Sequence, residues 1–330
     1  MNVLVTGATG SVGPAIVSGL LGAGHWVRTL SLSGPPAKAF PAGVEVLCGD
    51  VTDAAAVEAG VRGVEGVVHL AGLAHRTEAG KALDGEYERV NVGGTAIVVD
   101  MAQRAQVQRV VLFSTIAVYG PTGAGSVDER AAPKPDTAYA RSKLAAEEIL
   151  LAARRADGRP LGTVLRMAAV YGGSVTGNYL RLARSLSRHR FVPVGNGRNR
   201  RTLVYEDDAG AAAILALGSA SAGGQVYNVT DGAFHTLRDI NHAICSALGR
   251  TPPRVSVPLG PALGAVRAME SLGRVLALTP PLSARSLLKY SEDVAVEGSR
   301  IQSELGFQPR FDLRRGWQIA IEQLRLSGRL

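Results

Sequence analysis

The segment TAYARSK, residues 137–143, sets a tyrosine and a lysine four positions apart, Tyr139 and Lys143, where a helical pattern begins. Positions four apart on a helix share a face, so the phenol and the ammonium can enter one space. A phenol ionises near pH about 10 and is a poor base at neutral pH. An ammonium one turn away, joined by a second cation in a partly dry pocket, can supply the shift of roughly 3 units, about 4 kcal/mol, that base catalysis requires. Such a pair would take a proton from a substrate hydroxyl and return it in the reverse direction. The spacing also arises by chance, so its meaning depends on what surrounds it.

The elements that would position the pair are legible upstream. Short apolar runs alternate with helical patterns: NVLVT, SVGPAIVSGLLGAG, WVRTL, VEVLCGD, VEGVVHLAG, the run from Tyr87 to Gln103, and RVVLFST. The strands are too uniformly apolar to have a wet face, which is the pattern of a parallel sheet covered by helices on both sides. A doubly wound α/β domain is predicted over residues 1–172, with LGTVLRM adding a strand after the Tyr139 helix. After Gly172 the rhythm changes: prolines, glycines and arginines crowd HRFVPVGNGRNRRTLVY, and a helix is expected from Glu206 to Leu217. The chain is expected to return to the large domain near 200–230. That leaves 173–199 and 231–330 as a smaller mixed substrate-binding domain over the C-terminal ends of the strands.

Composition excludes several classes. Apolar residues make up 46% and charged residues 19%, with forty glycines dispersed, so the chain is a compact globular protein rather than a disordered one. The formal charge is +8, but the arginines are scattered and aromatics are only 5%, which speaks against nucleic acid and for a basic surface suited to anionic small molecules. Cys48 and Cys245 are isolated, with neither metal-ligand spacing nor a disulfide framework, so no metal is expected. The opening MNVLVTGATG reads as a strand and a turn rather than a leader, and a cytoplasmic location is expected. The apolar segment Pro258 to Leu282 is interrupted by Arg267, Glu270 and Arg274 at helical spacing. It reads as an amphipathic helix, with a peripheral membrane contact as the alternative to plain packing and no integral span.

The turn VTGATGSVG carries Gly7, Gly10 and Gly13 between the first strand and the first helix. Glycines there let a backbone approach a pyrophosphate, whose charge is met by amides at the helix N-terminus. Gly7, Thr9, Gly10, Ser11, Val12 and Gly13 are therefore candidate dinucleotide contacts. Their spacing is G-x-x-G-x-x-G rather than G-x-G-x-x-G.

With that spacing, TAYARSK, and FSTIAVYG at 113–120, the sequence resembles the extended short-chain dehydrogenase/reductase family. Its nearest relatives in pattern are the nucleotide-sugar epimerases, dehydratases and 4-ketoreductases. GDVTD at 49–53, HLAG at 69–72, VNVGGT at 90–95, VYG at 170–172, NRRTLVYEDDA at 199–209 and SELGFQPRFDLRRGW near the end extend the likeness over nearly the whole chain. The resemblance implies a Rossmann-type fold, NAD or NADP as cofactor, and a homodimer formed through the helices beginning near Tyr87 and Tyr139. It implies Tyr139 and Lys143 as catalytic residues that also contact the cofactor, with Thr115 bonding the same substrate oxygen; Ser114 is the alternative. It places Asp50 and Val51 at the adenine edge, Leu70, Ala71 and Gly72 along the middle of the cofactor, and Asn91 near the nicotinamide-side ribose or an active-site water. Plain helix capping is the competing reading of Asp50 and Asn91, and strand termination that of Thr115. At the ribose position Ser31 stands where NAD-preferring relatives carry an acid, and the usual arginine for a 2′-phosphate is absent too.

For substrate, the resemblance implies Asn178 and Arg200 at a pyrophosphate, with Arg198 and Arg201 as substitutes, Arg285 as a further anion contact, and a solvated basic loop as the alternative. RMAAVYGG departs from the relatives, which have proline after the arginine and after the glycine, so Met167 and Gly173 mark a reshaped loop. The expected activity is hydride transfer at a ring carbinol, C4, of a nucleotide-activated hexose, by an epimerase or a 4-ketoreductase. A 3β-hydroxysteroid-dehydrogenase-like enzyme on an apolar alcohol is the second reading, supported by the run after Pro258. A non-catalytic NADP(H)-binding sensor or assembly protein is the third, and the intact Thr115, Tyr139 and Lys143 oppose it.

Overall fold

The computed structural model describes residues 1–34, 40–74, 81–123, 125–276 and 283–330, without the side chains of 81–82, 273–276 and 285. The first half alternates strands and helices: β1 (Asn2–Thr6), α1 (Gly13–Gly22), β2 (Trp26–Ser31), β3 (Glu45–Cys48), α2 (Ala54–Val61), β4 (Gly66–His69), α3 (Lys81–Tyr87), α4 (Gly94–Arg104), β5 (Arg109–Thr115), α5 (Ala138–Ala152) and β6 (Gly162–Met167). The second half holds β7 (Ala169–Tyr171), α6 (Asn178–Ser187), β8 (Arg200–Arg201), β9 (Leu203–Tyr205), α7 (Glu206–Gly218), β10 (Val226–Val229), β11 (His235–Thr236), α8 (Leu237–Leu248), α9 (Leu259–Leu276), α10 (Ala284–Ser291), α11 (Ser299–Leu305) and α12 (Leu313–Leu326).

Seven strands form one parallel sheet in the order β10-β6-β5-β4-β1-β2-β3, the doubly wound α/β architecture expected from the alternation. Successive strand residues enter opposite cores, as a pleated strand buried on both faces requires. Val111 and Phe113 join the side that holds α1 and α7. Val110 and Leu112 join the side that holds α2, α4 and α5. A third core gathers Tyr171, Tyr205, Ile240, Ile244, Trp317 and Ile321 from the second half, with the rings of Tyr171 and Trp317 stacked at 4.8 Å. In the second half, β10 closes one edge of the large sheet beside β6, while β7 pairs with β9 and β8 with β11.

Two predicted elements come out differently. The run from Tyr87 to Gln103 is not one α-helix: residues Glu88–Gly93 form a π-helical turn between α3 and α4. Such turns insert a residue into the helical ladder and re-aim a side chain, here Asn91. The segment after Pro258 does form a helix, but its three charges do not share one outward face: Arg267 is exposed alongside apolar side chains. Met269 and Leu272 are exposed at 43% and 58%, whereas Glu270 turns inward, where its Oε1 accepts the Ala284 amide at 2.9 Å. That bond satisfies a donor at the start of α10 that the helix itself leaves open. The side chain of Arg274 lies outside the described residues. Among the described residues no helix is long and apolar enough to cross a membrane.

Candidate active site

Helix α5 begins at a sequence-encoded cap: Thr137 accepts the Ala140 amide at 3.1 Å, replacing a bond the first turn lacks. Pro133 and Pro135 keep the approach extended. The cap fixes the rotation of the helix, so that Lys143 and Glu147 are buried at 6% and 1%. The Tyr139 phenol, one turn before Lys143, meets the Thr115 hydroxyl at the C-terminal end of β5 in a side-chain hydrogen bond. Thr115 Oγ1 also accepts the Ala117 amide at 3.2 Å, so it both ends the strand and faces the tyrosine. Ser114 points to the other face of the sheet and bonds Glu147, which leaves Thr115 as the partner of the phenol.

The electrostatics differ from the sequence expectation in one respect. Burial pushes the Tyr139 phenol up to about 12, only partly offset by the Thr115 bond, with a further upward push from Tyr87. The Tyr87 ring lies 5.8 Å away. Burial lowers Lys143 to about 8, and Glu147 opposes the fall. The expected lowering of the tyrosine by its lysine is absent from the chain alone. Lys143 Nζ is directed toward the loop after β4, where a Cβ built on Gly72 would sit 4.0 Å from it, and its field falls on His69 instead.

His69, in the HLAG stretch, is a member of the site that its sequence context did not single out. It is buried, driven to about 3 first by burial and then by Lys143. Its Nδ1 lies 2.7 Å from Thr6 Oγ1 and its Nε2 3.1 Å from Thr95 Oγ1. Because Thr95 donates to the Asn91 carbonyl at 2.6 Å, Thr95 must accept from Nε2, which assigns the neutral Nε2–H tautomer. The available signal was a histidine inside the otherwise apolar run GVVHL. Glu147 and Arg166 were also missed; their ion pair is almost fully buried at 2.7 Å, and neither lies in a stretch whose spacing announces it.

Asn91 does not cap a helix. From the π turn its Oδ1 accepts the Leu73 amide at 2.8 Å and its Nδ2 donates to Leu73 O at 3.3 Å and to Ser142 Oγ at 2.9 Å. Ser142 in turn donates to Tyr139 O at 2.9 Å. The side chain therefore ties the Leu70–Gly72 strip to the start of α5. Gly7, with φ of 70°, lies against the same strip, since a Cβ there would stand 2.6 Å from Ala71 N. Turns at the ends of β1, β4 and β5 thus converge on one edge of the sheet, where ligands of open α/β sheets bind.

The glycine turn fits a pyrophosphate. Val12 precedes α1 with no side-chain cap, and Pro14 occupies the first turn. Gly10 and Thr9 are exposed, so the uncapped N-terminus faces outward as an anion cradle. A Cβ on Gly13 would be 2.0 Å from Ala8 O, which is a demand of packing rather than of a ligand. Ser31 at the end of β2 accepts the Thr9 amide at 3.3 Å, and Ser11 meets Thr176 at 2.6 Å across the loop before α6. Asp50 does not cap α2; Asp53 does, accepting the Ala55 amide at 3.0 Å. Asp50 instead accepts from Thr52 and lies 3.6 Å from Arg89, and Val51 is buried beneath Gly94.

The substrate candidates have separate neighbours. Asn178 opens α6, exposed, and accepts from Arg181 at 2.7 Å. Arg200 on β8 donates to Gly125 O at 2.8 Å, lies 3.8 Å from Asp293 and sits over the Phe234 ring at 5.6 Å. Arg201 is turned into α10, donating to Lys289 O and Tyr290 O, and Arg198 is exposed. Met167 is buried, and Gly173 packs so closely on Gln323 that a Cβ would approach Oε1 to 2.1 Å. The side chain of Arg285 lies outside the described residues. No cluster of three metal-ligating side chains occurs among the described residues.

Comparison with known proteins bears on the family and the fold. The chain is 30% identical over 329 residues to a 3 beta-hydroxysteroid dehydrogenase/Delta 5-->4-isomerase of Mycobacterium tuberculosis, covering 94% of this chain and 86% of the relative. It is 29% identical to a 4-hydroxy-2-methyl-3-oxo-4-farnesyl-3,4-dihydroquinoline-1-oxide ketoreductase of Stigmatella aurantiaca, covering 99% and 97%. A solved structure of MoeE5 in complex with UDP-glucose and NAD superposes with a TM-score of 0.79 at 26% identity, covering 99% of each chain. Residues 3–230 match the pattern of the NAD dependent epimerase/dehydratase family. The resemblance read from the motifs is thereby borne out, and with it the nicotinamide dinucleotide cofactor: the chain is an enzyme of the NAD dependent epimerase/dehydratase family.

Proposed function

We propose that this enzyme acts at the C4 carbinol of a nucleotide-activated hexose, as a 4-epimerase or 4-ketoreductase, with Tyr139, Lys143 and Thr115 as its catalytic group. The observation that carries the reading is the Tyr139 phenol bonded to Thr115 with a buried Lys143 one turn along, at the strand edge that the glycine turn shares. Bound NAD supplies the hydride acceptor and, when oxidised, a positive charge. Gly7, Thr9, Gly10, Ser11, Val12 and Gly13 would hold its pyrophosphate, Ser31, Asp50 and Val51 its adenosine end, and Leu70, Ala71, Gly72 and Asn91 its middle and nicotinamide side. Tyr139 takes the carbinol proton in the oxidising direction and returns it to the carbonyl oxygen in the reducing one, and Thr115 holds the same oxygen. Since burial keeps the phenol near 12 in the chain alone, the tyrosine is a base only in the loaded site, where added positive charge offsets its burial.

MoeE5, solved with UDP-glucose, supports a nucleotide-sugar substrate, and Arg200 and Asn178 are the residues we assign to its pyrophosphate. A guanidinium fork suits that group, and a charge-assisted bond is worth about 1.5 to 3 kcal/mol. A second reading, an apolar alcohol, is favoured by the Mycobacterium relative and by Asp293, which already balances part of the Arg200 charge. Isothermal titration of UDP, dTDP, GDP and a 3-hydroxysteroid into the NAD-loaded protein separates the two. Saturable nucleotide binding that weakens tenfold to a hundredfold in Arg200→Ala is the expected result. Binding of the steroid alone replaces the first reading with the second. Binding of none removes both substrate readings.

A further inference from the structure

Behind the catalytic helix face lies a charged cluster that the family reading leaves without a part. Glu147 stands one turn beyond Lys143 on α5, so Tyr139, Lys143 and Glu147 follow each other at steps of four along one line. Glu147 is 1% exposed, accepts from Ser114 Oγ at the end of β5, and pairs with Arg166 of β6 at 2.7, 3.1 and 3.2 Å. Arg166 is itself stacked over the Tyr119 ring at 4.8 Å, and Tyr119 is fixed by Asn228 at 2.8 Å. A buried ion pair contributes little to stability on balance, because both charges lose their hydration. Its retention against the catalytic lysine calls for a reason other than folding.

From this arrangement we infer that Glu147 is a positioning residue for the reaction, the buried counter-charge that keeps Lys143 an ammonium, while Arg166 and Ser114 hold that carboxylate in place. The inference rests on the catalytic assignment of Lys143 made above. Among the described residues, the charged and titratable groups around the lysine come from four elements. On its own helix these are Tyr139, whose phenol is protonated in the chain alone, and Glu147. From β4 comes His69, kept neutral by burial and by Lys143 itself, with Thr6 and Thr95 fixing its tautomer, and from α3 comes Tyr87. From β6 comes Arg166, whose charge is paired with the Glu147 carboxylate at 2.7 Å. Lys143, Arg166 and Glu147 together carry one net positive charge. Without Glu147, two like charges would share a buried site, and the lysine, with its ordinarily titratable amine, would be the one to give up its proton. Burial already brings Lys143 to about 8, with Glu147 the group that opposes the fall.

The chain has five lysines, at 38, 81, 134, 143 and 289, which makes a direct measurement practicable. Lysine labelled with carbon-13 at Cε, observed in the cofactor-free protein, gives one resonance per lysine, and Lys143→Met identifies the one of interest. In the wild type that resonance should titrate near 8. In Glu147→Gln, which keeps the shape of the side chain, it should titrate at least one unit lower while the other four stay in place. Glu147→Asp should restore most of the difference. The double variant Glu147→Gln/Arg166→Gln removes both members of the buried ion pair, so it leaves no unpartnered guanidinium and remains informative if the single variant fails to fold. Its Lys143 should titrate between the other two. A Lys143 that titrates alike in the wild type and in the folded variants overturns the inference, whether or not Lys143 proves catalytic. Loss of turnover on removing Tyr139, tested separately, decides that underlying reading.

Discussion

Removing the Tyr139 hydroxyl while keeping its ring separates proton transfer from packing. Tyr139→Phe should bind NAD as the wild type does and lose about 10² to 10⁴ in turnover, the usual span of a general acid–base contribution; near-normal turnover would reduce Tyr139 to a helix residue. A second residue speaks through stability. Glu206 is 2% exposed and is raised to about 7, first by burial, with the Ser174 amide pulling the other way. Its folded pKa lies above the unfolded value of about 4.5, so between these pH values the folded chain binds more protons than the unfolded one. Its contribution to stability is therefore full below about pH 4.5, declines as pH rises to about 7, and is flat above. Measured against Glu206→Gln, the wild-type Tm should drop across that window; a difference independent of pH would show that the carboxyl is not held neutral. At this scale the sequence was informative only where residue type and spacing announce chemistry. Tyr139 and Lys143 stand out, whereas Glu147, Glu206 and His69 gain their character from burial contributed by distant strands.

At the scale of elements, the N-terminal turn and α1 make the clearest case. The glycines of VTGATGSVG serve different ends: Gly7 and Gly13 are closed by backbone atoms of Ala71 and Ala8, while Gly10 is exposed, with only Gly7 O at 3.0 Å from an added Cβ. Gly13→Ala should prevent folding or shift the whole turn. Gly10→Val should fold and lose the ligand. In a thermal melt at NAD about a hundredfold above its Kd, the wild type gains about 2.7 kcal/mol by mass action. The Gly10→Val protein should gain none, and an undiminished shift would detach the turn from the cofactor. Strand–helix alternation was readable because buried parallel strands are continuously apolar and glycine marks the turn. The π turn that aims Asn91 was not readable, since its ladder is set by the bonds of Asn91 to Leu73 and Ser142, partners 18 and 51 positions away in sequence. The inward turn of Glu270 in α9 was missed for the same reason, its partner being the Ala284 amide.

The whole molecule raises the question of whether one copy is the working unit. The sheet and its two faces were legible because local patterns repeat seven times. The C-terminal third was not, because its core joins Tyr171, Tyr205 and Trp317 over more than a hundred residues of chain. We propose that the dimer implied by the family resemblance forms on the outer side of α4 and α5, which pack against one another. The buried line of α5 runs through Lys143, Ala146, Glu147 and Leu150, so Arg141, Ala145 and Glu148 lie on the opposite side. An interface between identical copies about a two-fold axis must be self-complementary. Antiparallel pairing of two α5 helices centred near Ala145 meets that condition, because Arg141 of each copy then faces Glu148 of the other. The small side chain at the centre lets the helices approach closely. Light scattering at micromolar concentration should therefore give twice the 34.3 kDa chain mass. Ala145→Arg should leave monomers of unchanged helix content, since arginine is nearly as good a helix former as alanine. A wild type that scatters as a monomer, or an Ala145→Arg protein that remains dimeric, would place any self-association on another face.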